Sequence, residues 1–277
     1  MSGDTLAQEP EYVEARRVLL DALEALGSHR KAVVLVGAQA IYHRVGAGYL
    51  QVAPFTSDGD LALNPDVLDD EPLLAEALLA AGFSLAVKPG TWARHAVQID
   101  LMVPAAVSGT GRRSARLGPH GTEVARKAKG LEAAIVDYDV FTLAALDPAD
   151  SRTVEIAIAG LSALLVAKLH KLAERESTPA RWSPKDGLDV LRILQGGELT
   201  ELGATLADLE AHPIAGVVTR EARALLRRLF GAPSAHGAAM AVRASVGVEE
   251  SATIAAACAA LAAELLVAWE AASARPQ

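Results

Sequence analysis

The chain is short of cysteine, of aromatic side chains and of positive charge, and each shortage closes a class of readings. Its single cysteine, Cys258, lies in an alanine-rich stretch, so neither a disulfide framework nor a cysteine metal cluster can be built. Aromatic residues are 4% of 277, which leaves Leu, Val, Ile and above all Ala to fill the interior. A formal net charge of −8 argues against a general nucleic-acid coat protein, which is normally basic. No apolar run reaches ~18 residues without a charge, so no membrane span is expected. The opening segment, MSGDTLAQEPEYVEARR, lacks the basic-then-apolar order of a secretory signal, and a cytoplasmic location is expected. The seven histidines form no HxxxH or HxH pair, which removes the usual zinc spacings. There is also no GxGxxG or Walker sequence.

What the chain does have is apolar: 51% hydrophobic against 22% charged residues, a balance that excludes a disordered chain. Helical spacing marks Glu11–Leu26, closed by Gly27. The β-branched run Ala32–Val36 reads as a buried strand, ending at Gly37 before a helix over Ala38–Val45. Pro54 breaks the chain ahead of Thr56-Ser57-Asp58-Gly59-Asp60-Leu61-Ala62-Leu63, where Asp60–Leu63 reads as a strand. Asp66–Ala81 follows as an amphipathic helix, Phe83–Val87 as a strand, and Trp92–Val103 as a longer strand or a hairpin. Further strands are expected at Phe141–Ala145 and Thr153–Ile158. From Gly160 the period is helical, over Leu161–Glu176, Pro184–Gln195, Glu198–Glu210, Gly216–Phe230, Gly237–Ser245 and Glu249–Ala272. Mixed strands and helices followed by helices alone predict an α+β domain with a mixed sheet over 1–159 and an all-helical domain over 160–277.

Several residues in this frame can carry chemistry. Asp58 and Asp60, two apart on an extended chain, leave from the same face about 6.6 Å apart. Asp100 sits among Ile99, Leu101 and Met102, where a charge is costly unless paired or ligated. Three converging carboxylates would call for a hard cation such as Mg²⁺; read alone, Ser57-Asp58-Gly59-Asp60 is equally an Asp-Gly turn. The Val36-Gly37-Ala38 joint leaves backbone amides free for phosphate at a helix N-terminus, or is simply a close turn. Lys168 interrupts the apolar stripe Leu161, Leu165, Leu172, so its stem either snorkels to solvent or carries an ammonium to a bound phosphate. His170 and Lys171 fall on other, solvated faces. Ser183 and Asp186 have capping-box spacing, whereas Asp189, one turn on, has no capping reason. Ser108–Gly130 is the most basic stretch, with Arg112, Arg113, Arg116, Arg126, Lys127 and Lys129 against Glu123 alone. It reads as an RNA-facing surface or as a solvated loop.

The order of these segments is informative. Val-Gly-Ala-Gln-Ala at a strand–helix joint, then Thr-Ser-Asp-Gly-Asp-Leu, then Ile-Asp-Leu, resembles the nucleotidyltransferase superfamily typified by DNA polymerase beta. Leu164-Leu165-Val166-Ala167-Lys168-Leu169-His170-Lys171-Leu172, with Lys185-Asp186-x-x-Asp189 after it, looks like the AbiE-type toxin branch (AbiEii-like). The resemblance covers roughly Ala32–Leu194. It implies a polymerase-beta-like fold, dependence on magnesium as two bound Mg²⁺ ions, and transfer of a nucleoside monophosphate from an NTP. By the same resemblance Gly37 and Ser57 would touch the triphosphate, and Asp58 and Asp60 would hold metal. Asp100 would be the third metal-binding carboxylate and the base, Lys168 a phosphate ligand, and Asp186 a further catalytic acid. The chain departs from the family at Ala38, where a second Gly or a Ser is usual, and at Gln39, where Thr or Ser is.

The function expected is therefore that of a Mg²⁺-dependent nucleotidyltransferase, with an RNA 3′ end (tRNA) or a protein hydroxyl as acceptor. It would be a toxin of a toxin-antitoxin system, with an antitoxin protein as partner. Two alternatives stay open: a small-molecule, antibiotic-like adenylyltransferase, and an inactive nucleotide- or partner-binding protein of the same fold.

Overall fold

Four consecutive buried apolar residues, Val33–Val36 (β1), form an inner strand of an eight-stranded mixed sheet. The structure, a computed structural model, describes residues 9–46, 55–111, 113–176, 178, 182–247 and 249–274. The other strands are β2 (Asp58–Leu63), β3 (Ser84–Leu85), β4 (Thr91–Arg94), β5 (Val97–Pro104), β6 (Arg126–Ala128), β7 (Tyr138–Ala144) and β8 (Thr153–Ala159). Their order is β3-β4-β5-β2-β1-β8-β7, with β6 pairing the end of β5. The chain divides into two compact units. The first is Met1–Tyr42, Ala53–Ala128 and Asp139–Ile158; the second is His43–Val52, Lys129–Tyr138 and Ala159–Gln277.

In the first unit, α1 (Pro10–Leu26) buries Tyr12, Ala15, Val18, Leu19, Leu23 and Leu26. Leu19 lies against Gly59 of β2, on the face that also carries Ile99. The alternation of β2 and β5 therefore sends Gly59 and Ile99 under α1 and Asp58, Asp60 and Asp100 to the opposite face. Arg16 is also buried. Its Nε donates to Gln39 Oε1 (2.8 Å), one NH group to the Ala144 carbonyl (3.0 Å) and the other to Tyr12 Oη (3.1 Å). No carboxylate among the described residues pairs with it. The guanidinium thereby links α1 to β7 and to α2 (Gly37–Val45).

Some expected elements differ. Instead of a helix over Asp66–Ala81, α3 covers Leu74–Ala80 after a single 3₁₀ turn at Pro65–Val67. Pro72 lacks the amide that a helix interior needs, and the run Asp69-Asp70-Glu71 before it brings no apolar face. Trp92–Val103 is a hairpin, turning at His95 with φ 54°. Pro54, Arg112 and the first eight residues lie outside the described residues.

The second unit holds α4 (Leu161–Glu176), α5 (Pro184–Gly196), α6 (Leu199–Ala211), α7 (Gly216–Phe230), α8 (His236–Ala244) and α9 (Ser251–Ser273). Alanine and glycine set its spacing. Gly187 of α5 lies where a Cβ would stand 2.7 Å from the Gly237 carbonyl of α8, and Gly203 of α6 approaches Trp269 of α9 as closely. Ile254, Cys258, Ala262, Leu265 and Trp269 are the buried face of α9. By length and composition alone this helix is apolar enough to cross a membrane, with Glu264 and Glu270 at exposed positions.

Removing the Arg16 head group should be costly. Arg16→Met leaves Gln39 Oε1 and the Ala144 carbonyl without their donor, at about 1–3 kcal/mol for each buried acceptor. Urea denaturation should report a loss of that order, and unchanged stability would show that water takes the place of the guanidinium.

Candidate active site

The register of β2 decides the acidic face. β2 runs antiparallel to β1, with Val36 opposite Asp60, and parallel to β5, with Asp58 opposite Gln98 and Asp60 opposite Asp100. Paired residues on neighbouring strands share a face. Asp60 and Asp100 thus stand side by side, with Asp58 two residues before Asp60 on the same side.

Each carboxylate is held differently. Asp58 is exposed, and Thr56 Oγ1 donates to its Oδ1 at 2.5 Å. Asp60 is half-buried and leans over Gly37, where a Cβ would overlap its Oδ2. Gly37 has φ 71°, and it is the first residue of α2, so the Asp60 carboxylate lies where the helix exposes its unpaired amides. Ser57 is exposed beside Asp58. Asp100 accepts from Thr91 Oγ1 (2.6 Å) and from Arg126 (2.8 and 3.3 Å), with Lys88 Nζ 3.5 Å away. Burial alone would raise its pKa, but the charge of Arg126, the hydrogen bonds from Thr91 and Arg126 and the charge of Lys88 outweigh it. The carboxyl therefore ends below its ordinary value.

Gln39 is buried, and its Nε2 donates to the Asp58 carbonyl at 3.0 Å while Arg16 donates to its Oε1. The two residues therefore tie the first residue of β2 to α1 and α2. In sequence Gln39 carries no signal of this role. A clue was present in Arg16, one turn after Tyr12 on the stripe that buries Tyr12, Ala15 and Leu19.

In the second unit the structure joins Lys168, Asp186 and Asp189. Lys168 Nζ donates to Asp186 Oδ1 at 3.0 Å and to Asp189 Oδ2 at 2.7 Å, and all three side chains are buried. The snorkelling reading of Lys168 is therefore not what is found. Arg175 donates to Asp186 (2.5 Å) and Arg192 to Asp189 (3.4 Å), with Lys171 3.6 Å from Asp186. Dehydration would lower the Lys168 pKa, yet Asp189 and Asp186 raise it above its ordinary value. Dehydration likewise opposes ionisation of Asp186, and Lys168, Lys171 and Arg175 hold it well below the usual carboxyl range. Ser183 makes no side-chain cap, so the capping box does not form; Asp186 turns to Lys168 instead. His170 is buried rather than solvated, its Nε2 donating to the Val218 carbonyl at 2.8 Å.

The basic stretch is partly committed internally. Arg126 pairs with Asp100, Lys129 with Glu221 (2.6 Å), and Lys127 reaches the Gly109 carbonyl, while Arg113 and Arg116 are exposed.

Comparisons with protein-family profiles, with characterised proteins and with solved structures return no match for this chain.

Two tests follow from this geometry. Gly37→Ala forces a Cβ into the Asp60 carboxylate at a backbone angle L-residues avoid. It should lower the melting temperature, and Gly37→Ala/Asp60→Gly should recover part of the loss. Lys168→Met leaves two buried carboxylates without their shared cation and should cost about 3–5 kcal/mol. Asp186 contributes stability above its unfolded pKa, near 3.9, and loses it as pH falls through its lower folded value. Lys168 contributes below about 10.4 and loses it only above its higher folded value. The difference between wild type and Lys168→Met should stay flat from about pH 5 to 9 and narrow below about pH 4. A gap that widens in acid would contradict the ion cluster.

Proposed function

We propose that this chain is a Mg²⁺-dependent nucleotidyltransferase with a polymerase-beta-like first unit, similar to the AbiE-type toxin branch. One observation carries the reading: Asp58, Asp60 and Asp100 share a sheet face in adjacent register, with Asp60 at the glycine that starts α2. The donor set fits the metal, since two neighbouring carboxylates offer the hard oxygen ligands that Mg²⁺ prefers. Asp58 and Asp60 would hold it. Bound there, the ion would neutralise charge on the triphosphate and polarise the phosphorus that is attacked.

The chain's own groups do the rest. Gly37 and the first amides of α2 offer donors for phosphate oxygens, which no bulkier residue at Gly37 would permit. Thr56 and Gln39 fix Asp58 from its side chain and its carbonyl. Asp100, which the resemblance casts as the base, is kept ionised beside Arg126. Exposed Arg113 and Arg116 favour an RNA acceptor over a small amine. The reaction joins an NMP to a hydroxyl of the acceptor and releases pyrophosphate, in a cytoplasmic setting.

The purified protein should move label from one of four α-³²P-labelled NTPs to total tRNA in the presence of Mg²⁺. Asp58→Asn and Asp60→Asn should each lower that transfer by at least ~10²-fold, the scale of losing one dominant electrostatic group, while melting as wild type does. Label on an added aminoglycoside instead of RNA would select the small-molecule alternative. Equal transfer by wild type and both variants would remove the carboxylates from the chemistry.

A further inference from the structure

Two histidines of the first unit are buried side by side at the segment that leads into α3. His29, in the 3₁₀ turn Gly27–Ala32, and His120, in the turn Gly118–His120, are 0% and 7% exposed. Their rings meet edge to face, with centroids 5.3 Å apart. His29 Nε2 donates to the Pro72 carbonyl at 2.6 Å, and His120 Nε2 donates to the Asp69 carbonyl at 2.7 Å. His120 Nδ1 accepts from Leu74 N at 3.2 Å, and Leu74 is the first residue of α3. The pair holds residues 69–74 at three backbone atoms, and it supplies the acceptor that a helix cannot provide for its own first amide.

These bonds dictate where each ring carries its proton. A carbonyl can only accept, so both rings are protonated on Nε2; an amide can only donate, so His120 Nδ1 is bare. A second proton on His120 would set an N–H against the Leu74 N–H and leave the first amide of α3 without its acceptor. His29 Nδ1 is buried with no hydrogen-bond partner among the described residues, so a proton there would be a buried charge with no acceptor. Two charged rings at this separation would also repel. The surrounding charges offset little of this. Asp69 attracts a charged His29, but its carboxylate is 42% exposed and pairs with Lys31 at 2.7 Å, which chiefly holds it below its ordinary pKa. Arg30 donates to the Gly27 carbonyl, and Asp66, Asp70, Glu71, Glu76 and Glu123 are exposed. Asp21 and Glu24, near the end of α1, are taken by Arg152.

We infer that His29 and His120 form an acid-sensitive latch: neutral, they clamp residues 69–74 and the start of α3 to the first unit, and on taking up protons they release that segment while the sheet stays paired. The closed latch excludes protons that hydrated imidazoles take up around pH ~6.5, so its stability falls as pH falls. Release uncovers Leu74 and Leu78, both fully buried in the closed form. The sheet does not need the clamp, because β1, β2 and β5 are held by their own ladders. The latch is independent of the chemistry proposed for the acidic face.

The test is amide hydrogen exchange of the full chain, read by mass spectrometry at about pH 7.5 and about pH 5, with each rate divided by the intrinsic rate at that pH. Peptides within 68–80 should lose about tenfold or more in protection in acid, while those of α1, β1 and β2 keep theirs within about threefold. A double variant removes both titrating rings and keeps one bond from each: His120→Asn leaves an oxygen for Leu74 N, and His29→Gln leaves an N–H for the Pro72 carbonyl. Its protection over 68–80 should be the same at both pH values. Wild type equally protected at both, a loss spread equally over β1 and β2, or the full acid loss in the folded double variant would each overturn the latch. Imidazole ¹⁵N spectra of wild type decide the matter if the double variant does not fold. Both rings should show the Nε2–H form at the higher pH, and charged His120 should appear only together with loss of Leu74 amide protection. A charged His120 beside a protected Leu74 amide would overturn the latch as well.

Discussion

The acidic face depends on the position of one strand, β2, between an antiparallel and a parallel neighbour. A slip of β2 by one residue would send Gly59 outward and drive Asp58 and Asp60 under α1. Burying two carboxylates against Leu19 would cost far more than any register gains, so hydrophobic and electrostatic forces select the same pairing. The close meeting of Asp60 and Gly37 follows from that register, because Val36 is the β1 residue opposite Asp60 and Gly37 comes next.

The two units handle buried charge in different ways. Arg16 is surrounded by neutral acceptors, a glutamine, a carbonyl and a tyrosine hydroxyl, which disperse a guanidinium well because its N–H groups are fixed in a fork. Lys168, a compact ammonium, is instead met by two carboxylates, themselves shared with Arg175 and Arg192. A cluster of this kind adds little net stability compared with an apolar replacement of all its members, but losing any one member is expensive. It joins α4 to α5 through charged hydrogen bonds, Asp186 turning to Lys168 where Ser183 makes no side-chain cap.

Much of this was legible because it is periodic. The stripe of α1, the β-branched run of β1 and the i, i+2 spacing of Asp58 and Asp60 are local patterns, and the structure keeps them. Lys168 was visible as a break in a stripe, and Asp189 as a carboxylate with no capping reason. That they answer each other was not, because the contact spans 21 residues and two helices. Arg126 illustrates the same limit: in sequence it is one of six basic residues in an irregular stretch, and only the pairing of β6 with β5 singles it out. No helix runs from Asp66, because the acidic run and proline at 69–72 override the apolar periodicity there.

At the strand–helix joint, Ala38 and Gln39 follow Gly37. Both side chains are buried, 6% and 1% exposed, so neither lies over the outer side of the helix start. Gln39 is spent on the Asp58 carbonyl and on Arg16, a position where Thr or Ser would be too short to bridge both. A longer polar residue there and a buried arginine on α1 therefore form one device, each needing the other to satisfy its hydrogen bonds. Gly37 is the residue of the joint whose missing side chain makes room, since a Cβ there would overlap the Asp60 carboxylate.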